Sequence, residues 1–178
     1  VMIMTILLEL LDNHFLTVSL MLAVISILTI YLSLVSENQQ EKRVADWVHP
    51  ISSLLAIYVT YSEIIESNKF YQDQLGFSFH LAMAGLILLG INLIWKKANQ
   101  LRLAKTAFYT GQASYLFALY QLIIFYSGDP VFVRPLILLV GIGVTYWLVR
   151  YTKRSQLWLV VSLTTLGFYL SLVSTFSI

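Results

Sequence analysis

Cysteine is absent from the 178 residues, which removes disulfides, thiolate metal sites and cysteine nucleophiles and leaves the redox compartment unread. Charge is scarce as well. Asp, Glu, Lys and Arg make up 11% of the chain, against about 25% in soluble domains. The formal net charge is +2 and no basic run stands apart from the apolar segments, so no nucleic-acid partner is expected. The first residues carry no Lys or Arg, so no cleavable signal peptide is expected. What the chain has in abundance is apolar surface, at 58% hydrophobic residues, and this composition is that of a membrane protein.

A membrane-spanning helix needs about 20 mostly apolar residues. Six such runs stand out, near Phe15 to Val35, Trp47 to Ile65, Gly76 to Trp95, Ala107 to Tyr126, Val131 to Tyr151 and Leu157 to Phe176. The polar stretches between them are short and leave no room for an extramembrane domain. Asp46 before Trp47 reads as a helix cap with Pro50 in the first turn. Gly76 opens the third run, Ser127-Gly128-Asp129-Pro130 reads as a tight hairpin, and Arg150 to Gln156 as a polar link. The expected fold is an all-α polytopic transmembrane bundle of six spans over residues 15–178.

The basic residues set the orientation. Lys42, Arg43, Lys96, Lys97, Arg102, Lys105, Arg150, Lys153 and Arg154 fall in the odd-numbered connections, with only Lys69 and Arg134 in the even ones. By the positive-inside rule, connections 36–46, 96–106 and 151–156 are cytoplasmic and both visible termini face out. Trp47, Trp95, Tyr151 and Trp158 anchor the inner interface. Residues 1–14 begin with an apolar stretch too short to span. They read either as an interfacial helix on the outer side or as the tail of a seventh helix preceding the six.

The hexapeptide YLSLVS occurs at Tyr31 to Ser36 and again at Tyr169 to Ser174. The first copy closes the inner end of its span and the second lies at the outer end of the last, which no three-plus-three inverted repeat relates. The repetition reads as one packing solution used twice: Ser33 with Ser36, and Ser171 with Ser174, put small hydroxyls on one helix edge. Ser78, Ala82 and Gly85, then Gly111, Ser114 and Ala118, then Gly141 and Thr145, form similar packing faces.

Ionisable residues deep in a bilayer mark function by default, and here the six runs lack Asp, Glu, Lys and Arg at mid-depth. The remaining polar groups gather near the outer ends: His14, Glu63, Glu66, His80, Tyr126 and Asp129. His14 and His80 are the candidates for a divalent metal or haem, with a polar rim at the headgroups as the competing reading; no cofactor is expected. His49 sits at the opposite interface. On the fourth run Phe108, Gln112, Tyr115, Leu119, Leu122 and Tyr126 share a stripe whose rings, amide and hydroxyls suit an amphiphile. Alternatively these aromatics fill the bundle. Gln112, Tyr115, Tyr126, His80 and Glu63 are the candidate ligand-binding residues.

From Trp47 onward the order of features resembles the YhhN-like family of eight-helix membrane proteins, which includes lysoplasmalogenases. Asp46-Trp47-Val48-His49-Pro50 stands where the family has an aromatic and Lys-Pro. Leu88-Leu89-Gly90 is followed by Ile91 where the family has Asp, and Gly111 and Tyr120 match while Phe117 holds the His position. Arg134 to Gly141 is similar to the family's fifth-helix opening. The resemblance covers residues 40 to 175, without the family's last two helices. It implies a lipid-sized cavity and vinyl-ether hydrolysis of lysoplasmalogens. That chemistry needs a general acid, which Ile91 and Phe117 do not supply, so no catalytic residue carries over.

The expected function is a membrane module, a sensor or subunit, that binds an amphiphile or a protein partner without catalysis. Two alternatives stand beside it, a lysophospholipid or lysoplasmalogen hydrolase and a small transporter or permease component. Lipid, a protein partner or a second copy are the expected partners.

Overall fold

A computed structural model describes residues 14–66, 77–124 and 133–176, and every element in them is a helix. In chain order these are α1 (His14–Val35), α2 (Gln39–Glu66), α3 (Phe77–Lys97), α4 (Leu101–Ile124), α5 (Val133–Thr152) and α6 (Leu157–Phe176). Four of them, α1, α3, α5 and α6, are long and apolar enough to cross a membrane. The other two bury polar side chains of their own, Asp46, His49, Ser52 and Ser53 on α2 and Thr106 and Gln112 on α4. The chain divides into two compact units, Val1–Leu116 and Phe117–Ile178, with the division inside α4.

Two helix starts differ from the sequence reading. The second helix begins at Gln39, not at Trp47, and Asp46 and Pro50 lie in its interior. Asn38 is the true cap: its Oδ1 accepts the Gln40 amide at 2.9 Å, and its Nδ2 donates to Glu41 Oε1 in the first turn. The charged stretch that read as a loop is therefore helix, and the connection shrinks to residues 36–38. Likewise α4 begins at Leu101 rather than Ala107. A Schellman turn closes α3, with Asn99 at a φ of 58°, Gln100 N–H donating to Trp95 O and Asn99 N–H to Lys96 O. That turn leaves only residues 98–100 between the helices. Lys153, at a φ of 56°, closes α5 with its N–H on Val149 O at 2.8 Å. Gly76 and the 127–130 hairpin lie outside the described residues.

In the first unit α1 and α2 run antiparallel along a polar seam. Ser19 bonds Thr60, Ser26 bonds Ser53 at 2.7 Å, and Ser33 donates to Asp46. Each partner set advances by seven residues, the two-turn repeat of a supercoiled pair, so one edge of each helix supplies all three bonds. The opposite face of α1 is apolar and exposed at Leu20, Val24, Ile27 and Tyr31, as suits lipid.

Helices α3 and α4 touch backbone to backbone. A Cβ built on Gly85 would lie 3.0 Å from Gly111 O and 3.0 Å from Tyr115 N, and one on Gly111 would lie 3.0 Å from Gly85 O. Only glycine permits this approach, which is how small residues let helices associate where hydrophobic burial offers no gain. In the second unit Gly141 faces Leu119 and the Thr164 methyl, while Thr145 and Thr164 return their hydroxyls to the Gly141 and Val160 carbonyls. Ser33 and Ser171, from the two YLSLVS copies, are both buried.

Because backbone atoms cannot step aside, Gly85→Ala should lower stability by about 1–3 kcal/mol. Gly90→Ala, with nothing within 4 Å of its new methyl, should leave stability undiminished or raise it by up to about 1 kcal/mol. Thermal unfolding of the two variants in detergent checks the contrast, and equal melting would refute the close packing.

Candidate functional site

The seam continues at its basic end into two polar clusters that reach α3 and α4. His49 is the hub of the first. It is 3% exposed, and its Nδ1 lies 3.0 Å from Ser26 Oγ and 3.3 Å from Ser53 Oγ. On the other side its Nε2 accepts the Trp95 indole N–H at 3.2 Å, with the rings edge to face at 5.7 Å. An indole can only donate, so Nε2 holds a lone pair and the neutral ring carries its proton on Nδ1. That proton is shared between the two serine oxygens. No imidazole lone pair faces either hydroxyl, so His49 does not act as a base toward Ser26 or Ser53, and the group is not a nucleophile–base pair in this arrangement. An imidazolium could not accept from Trp95 at all.

Asp46, one turn earlier on α2, organises the second cluster. Its Oδ1 accepts the Ser33 hydroxyl, and its Oδ2 lies 3.7 Å from Arg102 Nη1. Arg102 Nη2 donates to the Ser33 carbonyl at 3.1 Å. The carboxylate is 7% exposed and the arginine side chain 51%, so the pair is buried on the acid side and wet on the base side. A carboxylate at this depth is tolerable because it has both a hydroxyl and a cation. Pro50, fully buried, lacks an N–H and so leaves the Asp46 carbonyl without its usual intrahelical donor.

A third group belongs to α3. Asn92 is 2% exposed; its Nδ2 donates to the Ala104 carbonyl at 2.6 Å, tying α3 to the first turn of α4, and its Oδ1 is buried without a hydrogen-bond partner. Leaving such an acceptor unpaired costs roughly 1–3 kcal/mol.

The residues singled out from sequence lie elsewhere. His80 is 2% exposed among the rings of Tyr58, Tyr61 and Phe79, at centroid distances of 6.2, 5.7 and 5.9 Å. It stands fifteen residues before Trp95 on α3, about 22 Å along the axis, so the two clusters occupy opposite ends. Gln112 and Tyr115 are 9% and 1% exposed, on the buried side of α4, and Tyr115 is the residue that meets Gly85. Glu63 falls in the last turn of α2 and His14 is the first residue of α1, with side chains outside those described; Tyr126 and Asp129 lie outside the described residues. Among the described residues no three His, Asp or Glu side chains gather as a metal site would require.

Sequence reasoning missed Asp46 and His49 as the centres of the buried network. The signal was the seven-residue spacing of Ser19, Ser26 and Ser33, matched by Asp46, Ser53 and Thr60. No family model, curated protein or solved structure matches the chain.

The tautomer is directly observable. In 15N-histidine-labelled protein, His49 should show a protonated Nδ1 and an unprotonated Nε2, its signals assigned by their loss in His49→Gln. Trp95→Phe should release Nε2 and mix the tautomers. A protonated Nε2 in the parent chain would refute the Trp95 bond.

Proposed function

We propose that the chain is an integral membrane module that works by binding an amphiphile or a protein partner, in a sensor or subunit role, rather than by turning over a substrate. One observation carries this reading. The polar side chains best placed for chemistry in the first unit, Ser26, Ser53, His49 and Asp46, are occupied with one another and with Trp95 and Arg102. Broad apolar faces, by contrast, stay exposed on α1 and α6, where only 22% of the apolar span is buried. A helix face of this kind is read by lipid tails or by another helix.

All six helices cross the bilayer in this proposal. With 28 and 24 residues, α2 and α4 extend about 42 and 36 Å, enough for a hydrocarbon core of about 30 Å. Their polar load is compatible with crossing because Asp46, His49, Ser52, Ser53, Thr106 and Gln112 are buried, while the exposed Glu41, Arg43 and Lys105 lie near the helix starts. The basic ends face the cytoplasm.

Native mass spectrometry of the full chain in mild detergent tests the reading. A stoichiometric amphiphile adduct or a co-purifying subunit is the expected result. Bare monomer throughout, or steady aldehyde release from a lysoplasmalogen by folded protein, would overturn it. The cysteine-free sequence makes Ser155→Cys the sole thiol, which should be labelled from the cytoplasmic side only.

A further inference from the structure

We infer that the basic end of α2 and α4 is a site for an anionic phospholipid, its headgroup phosphate received by Arg43, Arg102 and Lys105 and an acyl chain laid along α2. The inference rests on the amphiphile-binding reading and names the amphiphile.

The guanidinium of Arg102 supplies the anchor. Its two inward contacts, to Ser33 O at 3.1 Å and toward Asp46 at 3.7 Å, fix the orientation of the fork while half the side chain remains exposed. A guanidinium has five N–H donors, so donors remain on a fork that is held at one edge and half exposed, the arrangement that suits a phosphate. Lys105 lies one turn along α4 from Arg102, and Arg43 one turn before Asp46 on α2; both are exposed, and residues three apart on a helix are neighbours. The ion pair therefore brings cations from two helices to the same end of the seam. Of the acids at this end, Asp46 is buried under its partners and Glu41 is bonded to Ser36 and Asn38, while Glu37 is exposed in the connection before α2 and leaves the cations there in excess.

The apolar half of the site starts one residue after Arg43. Val44, Trp47, Ile51 and Leu55 are 63%, 49%, 48% and 45% exposed, and their spacing of three, four and four keeps them on one stripe. From Val44 to Leu55 the stripe runs about 16 Å, close to half of a core of about 30 Å and so to one leaflet. Cations at one end and one leaflet's depth of apolar surface beneath them match a phospholipid in both charge and length.

Diffuse attraction to an anionic surface would act on every cation at this end, whereas a site would not, and this separates the two. The test is native mass spectrometry of the full chain given equal phosphatidylglycerol and phosphatidylcholine with matched acyl chains. The parent should retain phosphatidylglycerol preferentially. Arg43→Gln and Lys105→Gln, neither of which removes a described internal bond, should each reduce that preference about fivefold. Lys97→Gln, an exposed cation at the end of α3, should leave it unchanged. Arg102→Gln should abolish it, though loss of the Asp46 partner also strains the fold, so the first two variants decide. Equal losses in Arg43→Gln, Lys105→Gln and Lys97→Gln would mean diffuse attraction and overturn the site. Equal retention of both lipids would overturn it while sparing the amphiphile reading, and no lipid retention of any kind would overturn both.

Discussion

Inside a bilayer two helices gain nothing by hiding leucine from each other, because lipid tails are as apolar as leucine. What holds α1 to α2 here is polar: Ser19 to Thr60, Ser26 to Ser53 and Ser33 to Asp46. Seven residues along each helix correspond to two turns with a small drift, so the three bonds follow one gently winding line. A slip that is not a multiple of seven would turn hydroxyls into hydrocarbon and lose all three bonds at once.

The rest of the first unit is attached to that line. His49 borrows both seam serines for its Nδ1 and offers Nε2 to Trp95, which brings in the end of α3. Asp46 borrows the Ser33 hydroxyl and holds Arg102, which brings in the start of α4. Between those two attachments the Schellman turn at Asn99 sets the angle of return, and further along the same pair the Gly85 and Gly111 backbones meet. The polar residues that make α2 and α4 less apolar than their neighbours are thus the ones that position four helices. Their arrangement also leaves Arg102 held from within and open from without, so the seam prepares the charged end at which an amphiphile headgroup would arrive.

Much of this architecture was legible in the sequence because apolar length belongs to each helix separately. The ranges of α1, α3, α5 and α6 follow from it to within two residues. The starts of α2 and α4 did not, because Glu41, Lys42 and Arg43, or Arg102 and Lys105, look the same on a helix surface as in a loop. Asp46 before Trp47 and Pro50 has the form of a cap, and nothing local reveals that the helix began two turns earlier at Asn38. The small-residue faces were readable, as Gly85, Gly111, Gly141 and Thr145 show, because close approach demands particular residues. The stripe of Phe108, Gln112, Tyr115 and Leu119 was readable as a face, whereas its burial depends on what α3 places against it. The His49–Trp95 bond spans 46 residues, and periodicity along one helix carries no information about such a pairing.

The seam's register is the central claim, and disulfide trapping measures it most directly. In the naturally cysteine-free chain, Ser26→Cys with Ser53→Cys places two thiols where hydroxyls stand 2.7 Å apart. Ser26→Cys with Thr60→Cys is displaced by one heptad, about 10 Å along α2, beyond the reach of a disulfide. Rapid cross-linking of the first pair with none of the second is the predicted result. Cross-linking of the second pair in preference to the first would contradict the seam, and with it the placement of His49, Asp46 and Arg102.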